Sequence, residues 1–157
     1  MPSEPATPSL SIVREYRNPP EKVWDAWTNA EALKRWMAPS PEFTTSITEV
    51  DLRTGGRYHF VMIAPDGVEH DVSGTYREIL PLRRLVFTWA WRSTPERESL
   101  VTIDIEPLSA GTRLTLTHAR IADDAARDHH ESGWVGCLGQ LERLLALSAN
   151  QPTRQSA

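Results

Sequence analysis

Residues 99–118 read Ser-Leu-Val-Thr-Ile-Asp-Ile-Glu-Pro-Leu-Ser-Ala-Gly-Thr-Arg-Leu-Thr-Leu-Thr-His, and this stretch decides the fold class. Val101, Ile103 and Ile105 alternate with Thr102 and Asp104. After the turn signal Ser109-Ala110-Gly111, Leu114, Leu116 and His118 alternate with Thr115 and Thr117. Successive strand side chains point to opposite faces, so each run has one apolar and one polar surface. Upstream, the same period of two recurs in Leu85-Phe87-Trp89-Trp91, His70-Val72-Gly74-Tyr76 and Tyr58-Phe60-Met62, beginning near Thr45. Thr54-Gly55-Gly56, Pro65-Asp66-Gly67, Leu80-Pro81 and Thr94-Pro95 punctuate these runs as turns. Connections so short join antiparallel strands, because a parallel pair needs a crossover that the sequence does not supply. The other parity is polar (Arg57, His59, Glu69, Asp71, Ser73, Thr75, Arg113), so one face of the sheet is wet and the other covered.

The cover is a last helix from about Asp123 to Leu147, with the stripe Trp134, Leu138, Leu141, Leu144 and Leu145. Gly133, Gly136 and Gly139 interrupt it, each disfavoured by about 1 kcal/mol relative to Ala. They mark either a first half able to breathe, or a bend or a contact with another part of the chain. Ahead of the sheet, Leu10–Arg17 reads as a first strand. Asn18-Pro19-Pro20-Glu21 opens a helix, with Asn18 as its cap and the prolines in its first turn. That helix carries Val23, Trp24 and Trp27. Thr28-Asn29 interrupts, and a second short helix with Leu33, Trp36 and Met37 runs until Ala38-Pro39 stops it. The tryptophans staple these helices to the rest, while Ala38–Glu42 forms a rim loop with Trp36 beside it. Residues 1–8 and 149–157 read as loose tails around one domain spanning 9–148.

With 157 residues, 39% hydrophobic, the chain suits one core. A net charge of −4 with scattered arginines is no footprint for nucleic acid. No apolar run is long enough to cross a bilayer, and the start, MPSEPATPSLS, lacks a signal-peptide pattern, so the expectation is a cytoplasmic protein without membrane insertion. The single Cys137 has no internal disulfide partner and reads as a packed thiol in a reducing compartment. His129 and His130, adjacent on a helix, diverge by about 100° and do not chelate one ion together. No metal and no cofactor is expected.

Pro20-Glu-Lys-Val-Trp-Asp-Ala-Trp-Thr-Asn-Ala-Glu-Ala-Leu-Lys-Arg-Trp36 and Asp51-Leu-Arg-Thr-Gly-Gly-Arg-Tyr58 carry a resemblance, with Pro65-Asp-Gly67, Gly74-Thr-Tyr-Arg-Glu-Ile79, Arg84-Leu-Val-Phe-Thr-Trp89, Gly111-Thr-Arg-Leu-Thr-Leu-Thr-His118 and His130-Glu-Ser-Gly-Trp134. Over residues 10–147 the chain resembles the SRPBCC or START-like superfamily. Within it, the chain is similar to the group named for the activator of the heat-shock protein ninety ATPase. The resemblance implies an α+β helix-grip fold: a curved antiparallel sheet of six or seven strands, two short helices after the first strand, and a long C-terminal helix over a cavity. It also implies binding of lipids, sterols, polyketides or other apolar molecules, which some members cyclise or dehydrate. No catalytic motif shared by the group carries over residue by residue.

The leading expectation is a binding protein for a hydrophobic small molecule held between sheet and last helix. On the inward parity, Tyr58, Phe60, Met62, Val72, Tyr76, Phe87, Trp89, Ile103, Leu116 and His118 line the expected cavity, with Trp36, His130, Trp134 and Leu138 from the helices. His118 either holds a ligand's polar group or is satisfied by backbone at the sheet's rim. His70, close to the Pro65-Asp66-Gly67 turn, is expected at an exposed rim. The alternative is an enzyme of the cyclase, dehydratase or hydrolase type, with His118 as base and Tyr58 or Tyr76 as proton donor. Chaperone ATPase regulation follows only from the group's name. Monomer and homodimer both stay open, the latter through an exposed sheet edge.

Overall fold

The computed structural model of the protein describes residues 7–150, with side chains through residue 147. Most of the two expected tails therefore lies outside the described residues. Seven strands form one antiparallel sheet: β1 (Leu10–Tyr16), β2 (Thr44–Val50), β3 (Arg57–Ile63), β4 (Glu69–Leu80), β5 (Arg84–Trp91), β6 (Ser99–Leu108) and β7 (Gly111–Ala119). Helices α1 (Pro20–Thr28) and α2 (Ala30–Trp36) follow β1, and α3 (Asp124–Asn150) closes the chain. Strands β2 to β7 pair in sequence as hairpins, while β1 returns to the outer side of β7, giving the order β1-β7-β6-β5-β4-β3-β2. Each of the five turn signals falls between two paired strands. Gly55 and Gly67 supply the positive φ (86° and 89°) that two of those turns require.

Periodicity and burial agree along the sheet. In β7 every second residue, Thr112, Leu114, Leu116 and His118, is buried, and β3 buries Tyr58, Phe60 and Met62. The covered face meets α1, α2 and α3, whose inward residues Val23, Trp27, Leu33, Trp36, Trp134, Leu138, Leu141 and Leu145 are all buried.

Local capping differs from expectation at one helix. Asn18 does not cap α1; Pro19 stands at that position without a side-chain bond. Asn18 is instead buried, donating from Nδ2 to the Leu145 carbonyl at 3.0 Å while its own carbonyl accepts from Thr112 Oγ1 at 2.7 Å. Through its side-chain N–H and its backbone carbonyl, Asn18 thereby ties the second half of α3 to β7. Asn29, which reads only as an interruption, caps α2 by accepting from the Glu31 and Ala32 N–H groups. Asp123 does the same for α3 through the Ala126 N–H, and α3 runs to Asn150, three residues beyond the expected end.

Candidate functional site

The space under α3 is not one cavity. Beneath its second half and beside α1 and α2 the interior is solid. Trp27 meets Trp36 edge-on with centroids 4.6 Å apart, and rings continue through Phe87, Tyr58 and Phe60 at separations of 5.4–6.5 Å. The void left among Trp27, Leu33, Tyr58, Tyr76 and Phe87 is about 20 Å³, room for at most one water. Of the expected cavity residues, Trp36, Val72, Ile103, Leu116 and Leu138 are packed core. Tyr58, Phe60, Tyr76 and Phe87 face only that small void. The physical reason is volume: the tryptophans of α1 and α2 occupy the concavity that the curved sheet would otherwise leave empty.

Apart from a groove of about 400 Å³ that Lys22, Asp25, Glu31, Arg35, Leu144 and Leu147 line where α1 and α2 meet the end of α3, open space lies at the other end of the sheet, where β3, β5 and β7 finish and β4 and β6 begin. A cleft of about 640 Å³ is lined there by His70, Trp89, Trp91, Ser99, Ile121 and His130 together with the charged Glu69, Asp71, Arg92 and Arg97. A second, more apolar compartment of about 280 Å³ is lined by Pro39, Phe43, Met62, Gly133, Trp134 and Cys137. The two share a wall of His70, Trp89, Trp91, His129 and His130. Four of the expected lining residues, Met62, Trp89, His130 and Trp134, thus border the clefts. His70 is the second correction: its register opposite Met62 is regular, so it keeps the inward parity and is half-buried, not exposed. Its ring lies 6.0 Å from Phe43 and 6.4 Å from Trp91.

The rim loop exists, and α3 is built to receive it. A Cβ on Gly136 would overlap the Pro39 carbonyl oxygen. Of the open alternatives for the helix glycines, Gly136 therefore takes the contact with another segment. Around Gly133 and Gly139 the space is empty, and Gly133 borders the apolar compartment. Thr45 Oγ1 donates to the Met37 carbonyl at 2.9 Å and fixes the end of α2, just ahead of the loop, against β2.

His118 is fully buried, and both ring nitrogens are engaged. The Trp134 indole N–H donates to Nδ1 at 2.9 Å. An indole nitrogen only donates, so Nδ1 is the acceptor and the neutral ring carries its proton on Nε2. Nε2–H then donates to Ser99 Oγ at 2.6 Å, and the Ser99 hydroxyl donates to the Trp89 carbonyl at 3.2 Å. Burial, helped by His130 nearby, lowers the His118 pKa to about 3. Burial and His129 lower that of His130 to about 4. Every link of the chain points away from a free lone pair, which withdraws His118 from the role of general base: it has no acceptor to offer Ser99 or a ligand.

The tyrosine donors are withdrawn as well. Tyr58 reaches across β4, where Gly74 leaves room for its ring, and donates its hydroxyl to the Thr88 carbonyl of β5. Burial raises its pKa well above the usual range. Burial also pushes Tyr76 up to about 12. Tyr76 stands three strands from His118, along the ladder Tyr76–Phe87–Val101–His118. Among the described residues, no three His, Cys, Asp or Glu side chains come together as metal ligands. Cys137 is buried on the apolar compartment, its thiol pushed up to about 12 by burial. Ser99, Phe43, Gly133 and Cys137 are not among the expected lining residues, while Trp91, which its inward parity offers either to the core or to a pocket, lines both compartments. The signal for Trp91 was its place at the last inward position of β5, beyond the reach of α1 and α2.

A curved seven-stranded antiparallel sheet gripping one long helix, with two short helices and a cleft at one end, is the START-like helix-grip class. Residues 17–146 match the family model described as Activator of Hsp90 ATPase homolog 1-like protein, and the chain belongs to that family. No curated protein matches it. Solved structures of the same shape include a protein from Nitrosomonas europaea, 31% identical with a TM-score of 0.77, covering 94% of this chain and 99% of that one. One from Chromobacterium violaceum is 29% identical, TM-score 0.80, covering 87% and 96%. The AHSA1 protein from Silicibacter pomeroyi is 28% identical, TM-score 0.81, covering 90% and 99%. No helix of the described residues is long and apolar enough to cross a membrane.

Proposed function

We propose that the protein binds an apolar small molecule in the two-compartment cleft under the first half of α3. The observation that carries this reading is the contrast between about 20 Å³ of space in the packed interior and about 640 and 280 Å³ at the open end. Pockets of a few hundred Å³ with aromatic walls suit a drug-sized ligand, its apolar body in the smaller, mainly apolar compartment and any polar end towards the larger one, which Glu69, Asp71, Arg92 and Arg97 also line. A molecule hiding about 200 Å² of apolar surface gains roughly 5 kcal/mol. Association entropy offsets much of that, which sets micromolar affinity as the scale. The ligand lies at the end of the sheet and does not penetrate between Phe87 and α1. A buried, unpaired Cys137 fits a cytoplasmic setting.

Gly133→Leu tests the assignment. The new side chain grows into open cleft and removes a helix-interior glycine, so the fold is retained or strengthened. Titrated with the apolar dye Nile red, the natural protein shows a saturable rise in emission and Gly133→Leu shows none. Equal binding by both proteins removes the cleft from the account.

A further inference from the structure

Two arginines of the loop between β5 and β6, Arg92 and Arg97, line the larger compartment. Neither guanidinium has a carboxylate within hydrogen-bond range: Asp71 lies 3.9 Å from Arg92 and Asp123 3.6 Å from Arg97. Elsewhere on the surface, Arg84, Arg113 and Arg127 meet their carboxylates at 2.8–3.0 Å. The cleft arginines thus keep their planar forks unspent, a shape that matches the two oxygens of a carboxylate. The acids of the same compartment point elsewhere. Glu69 and Asp71 flank the inward His70 on β4, and successive strand side chains take opposite faces. Asp71 is also occupied, accepting from His59 Nε2 at 2.8 Å on the outer face of the sheet. Glu96 and Glu98, beside Arg97, stand outside the lining. Arg92 is shared with a groove on that outer face and is 84% exposed, so Arg97, 49% exposed near the start of α3, is the better placed of the two.

We propose that the ligand is an apolar monocarboxylic acid, its body against Met62, Trp89 and Trp134 in the smaller compartment and its carboxylate on the Arg97 guanidinium in the larger one. The inference rests on the cleft being the ligand site and adds the end group that site selects. Arg92 contributes a screened, longer-range attraction. One negative charge fits where two do not, because Glu69 and Asp71 border the same compartment and repel a phosphate dianion. At a half-exposed arginine the carboxylate keeps part of its water, which avoids the cost of a fully buried charge. The rings of Trp89, Trp91 and Trp134, with centroids 5.0–5.5 Å apart in successive pairs, supply surface for a flat apolar body.

The test compares 3-(2-naphthyl)propanoic acid with its primary amide and with 3-(2-naphthyl)propylamine, similar in shape but different in charge, by displacement of Nile red from the full chain at neutral pH. The natural protein prefers the acid to the amide by roughly three- to tenfold, the range of a half-exposed charge-assisted pair, and holds the amine most weakly. Sodium chloride at about 0.5 M shrinks that preference. In Arg97→Gln, a change at a half-exposed side chain that does not threaten the fold, the acid-to-amide ratio falls close to one. The ratio is read within each protein, so a change in dye affinity cancels. Failure of the acid to displace the dye, equal affinities for acid and amide, or tightest binding of the amine overturns the inference and leaves the binding reading standing. So does an acid preference that survives in Arg97→Gln. If neither the dye nor any of the three compounds binds, both fall.

Discussion

The two ends of the space beneath α3 are made from the same materials and do opposite things. At one end Trp27, Trp36, Tyr58 and Phe87 fill the concavity so that about 20 Å³ remains. At the other, Trp89, Trp91, Phe43 and His70 stand around a cleft of several hundred Å³. Aromatic content does not distinguish them; the presence of a third element does. The short helices α1 and α2 insert tryptophans from below into the first, whereas the second is approached by loops, residues 38–43, 92–97 and 121–122, and by neither short helix. A large side chain packs when three elements converge on it and lines a void when two do.

Trp27→Ala sharpens that contrast most. It removes a buried ring contacted by Trp36, Phe87 and Trp134 and should cost about 3–5 kcal/mol in urea unfolding. Trp91→Ala, half-buried at the cleft, should cost about 1 kcal/mol or less and abolish dye binding instead. Equal costs would erase the distinction between the ends.

Acid acts on the open end next. His118 titrates near 3 and His130 near 4 in the folded protein, against about 6.5 unfolded. Between these values the unfolded chain binds more protons, so stability is complete above about pH 6.5 and declines as pH falls toward 4 and then 3. His118 alone contributes about 1.4 kcal/mol per pH unit in that window. Urea midpoints across pH 4–7 should show this slope, and His118→Phe should flatten it. A natural protein equally stable at pH 4.5 and 7 contradicts a buried neutral His118.

The helix glycines give smaller, oppositely signed effects. Gly136→Ala forces a Cβ against the Pro39 carbonyl and should cost about 1–3 kcal/mol. Gly139→Ala meets empty space and should gain up to about 1 kcal/mol. Thermal melts of the pair read both signs, and a stabilised Gly136→Ala would break the loop contact. Tyr58→Phe is smallest, leaving the Thr88 carbonyl short of a donor for about 1 kcal/mol, with dye binding unchanged.

Alternating residues made the sheet legible: β3 through β7 bury the parity that the sequence marks as apolar, because a period of two admits no other register once one face is covered. The helix-grip architecture followed from the family motifs. The position of the cavity did not, since parity says which face a side chain takes but not whether a third element fills the space before it. Tyr58 and Trp89 share that parity, and only the contact with α1 and the register of Gly74 separate the core tyrosine from the cleft tryptophan. His118 illustrates a further limit. Its partners Ser99 and Trp134 are 19 and 16 residues away, so its tautomer and its loss of basicity were invisible in one strand.

The six tryptophans allow the central claim to be read in one spectrum. With the indole N–H resonances assigned by ¹⁵N–¹H correlation NMR, an apolar ligand is titrated in. The account predicts that Trp89, Trp91 and Trp134 shift with saturation while Trp27 and Trp36 hold still. Shifts confined to Trp27 and Trp36 would place the ligand in the packed interior and contradict it.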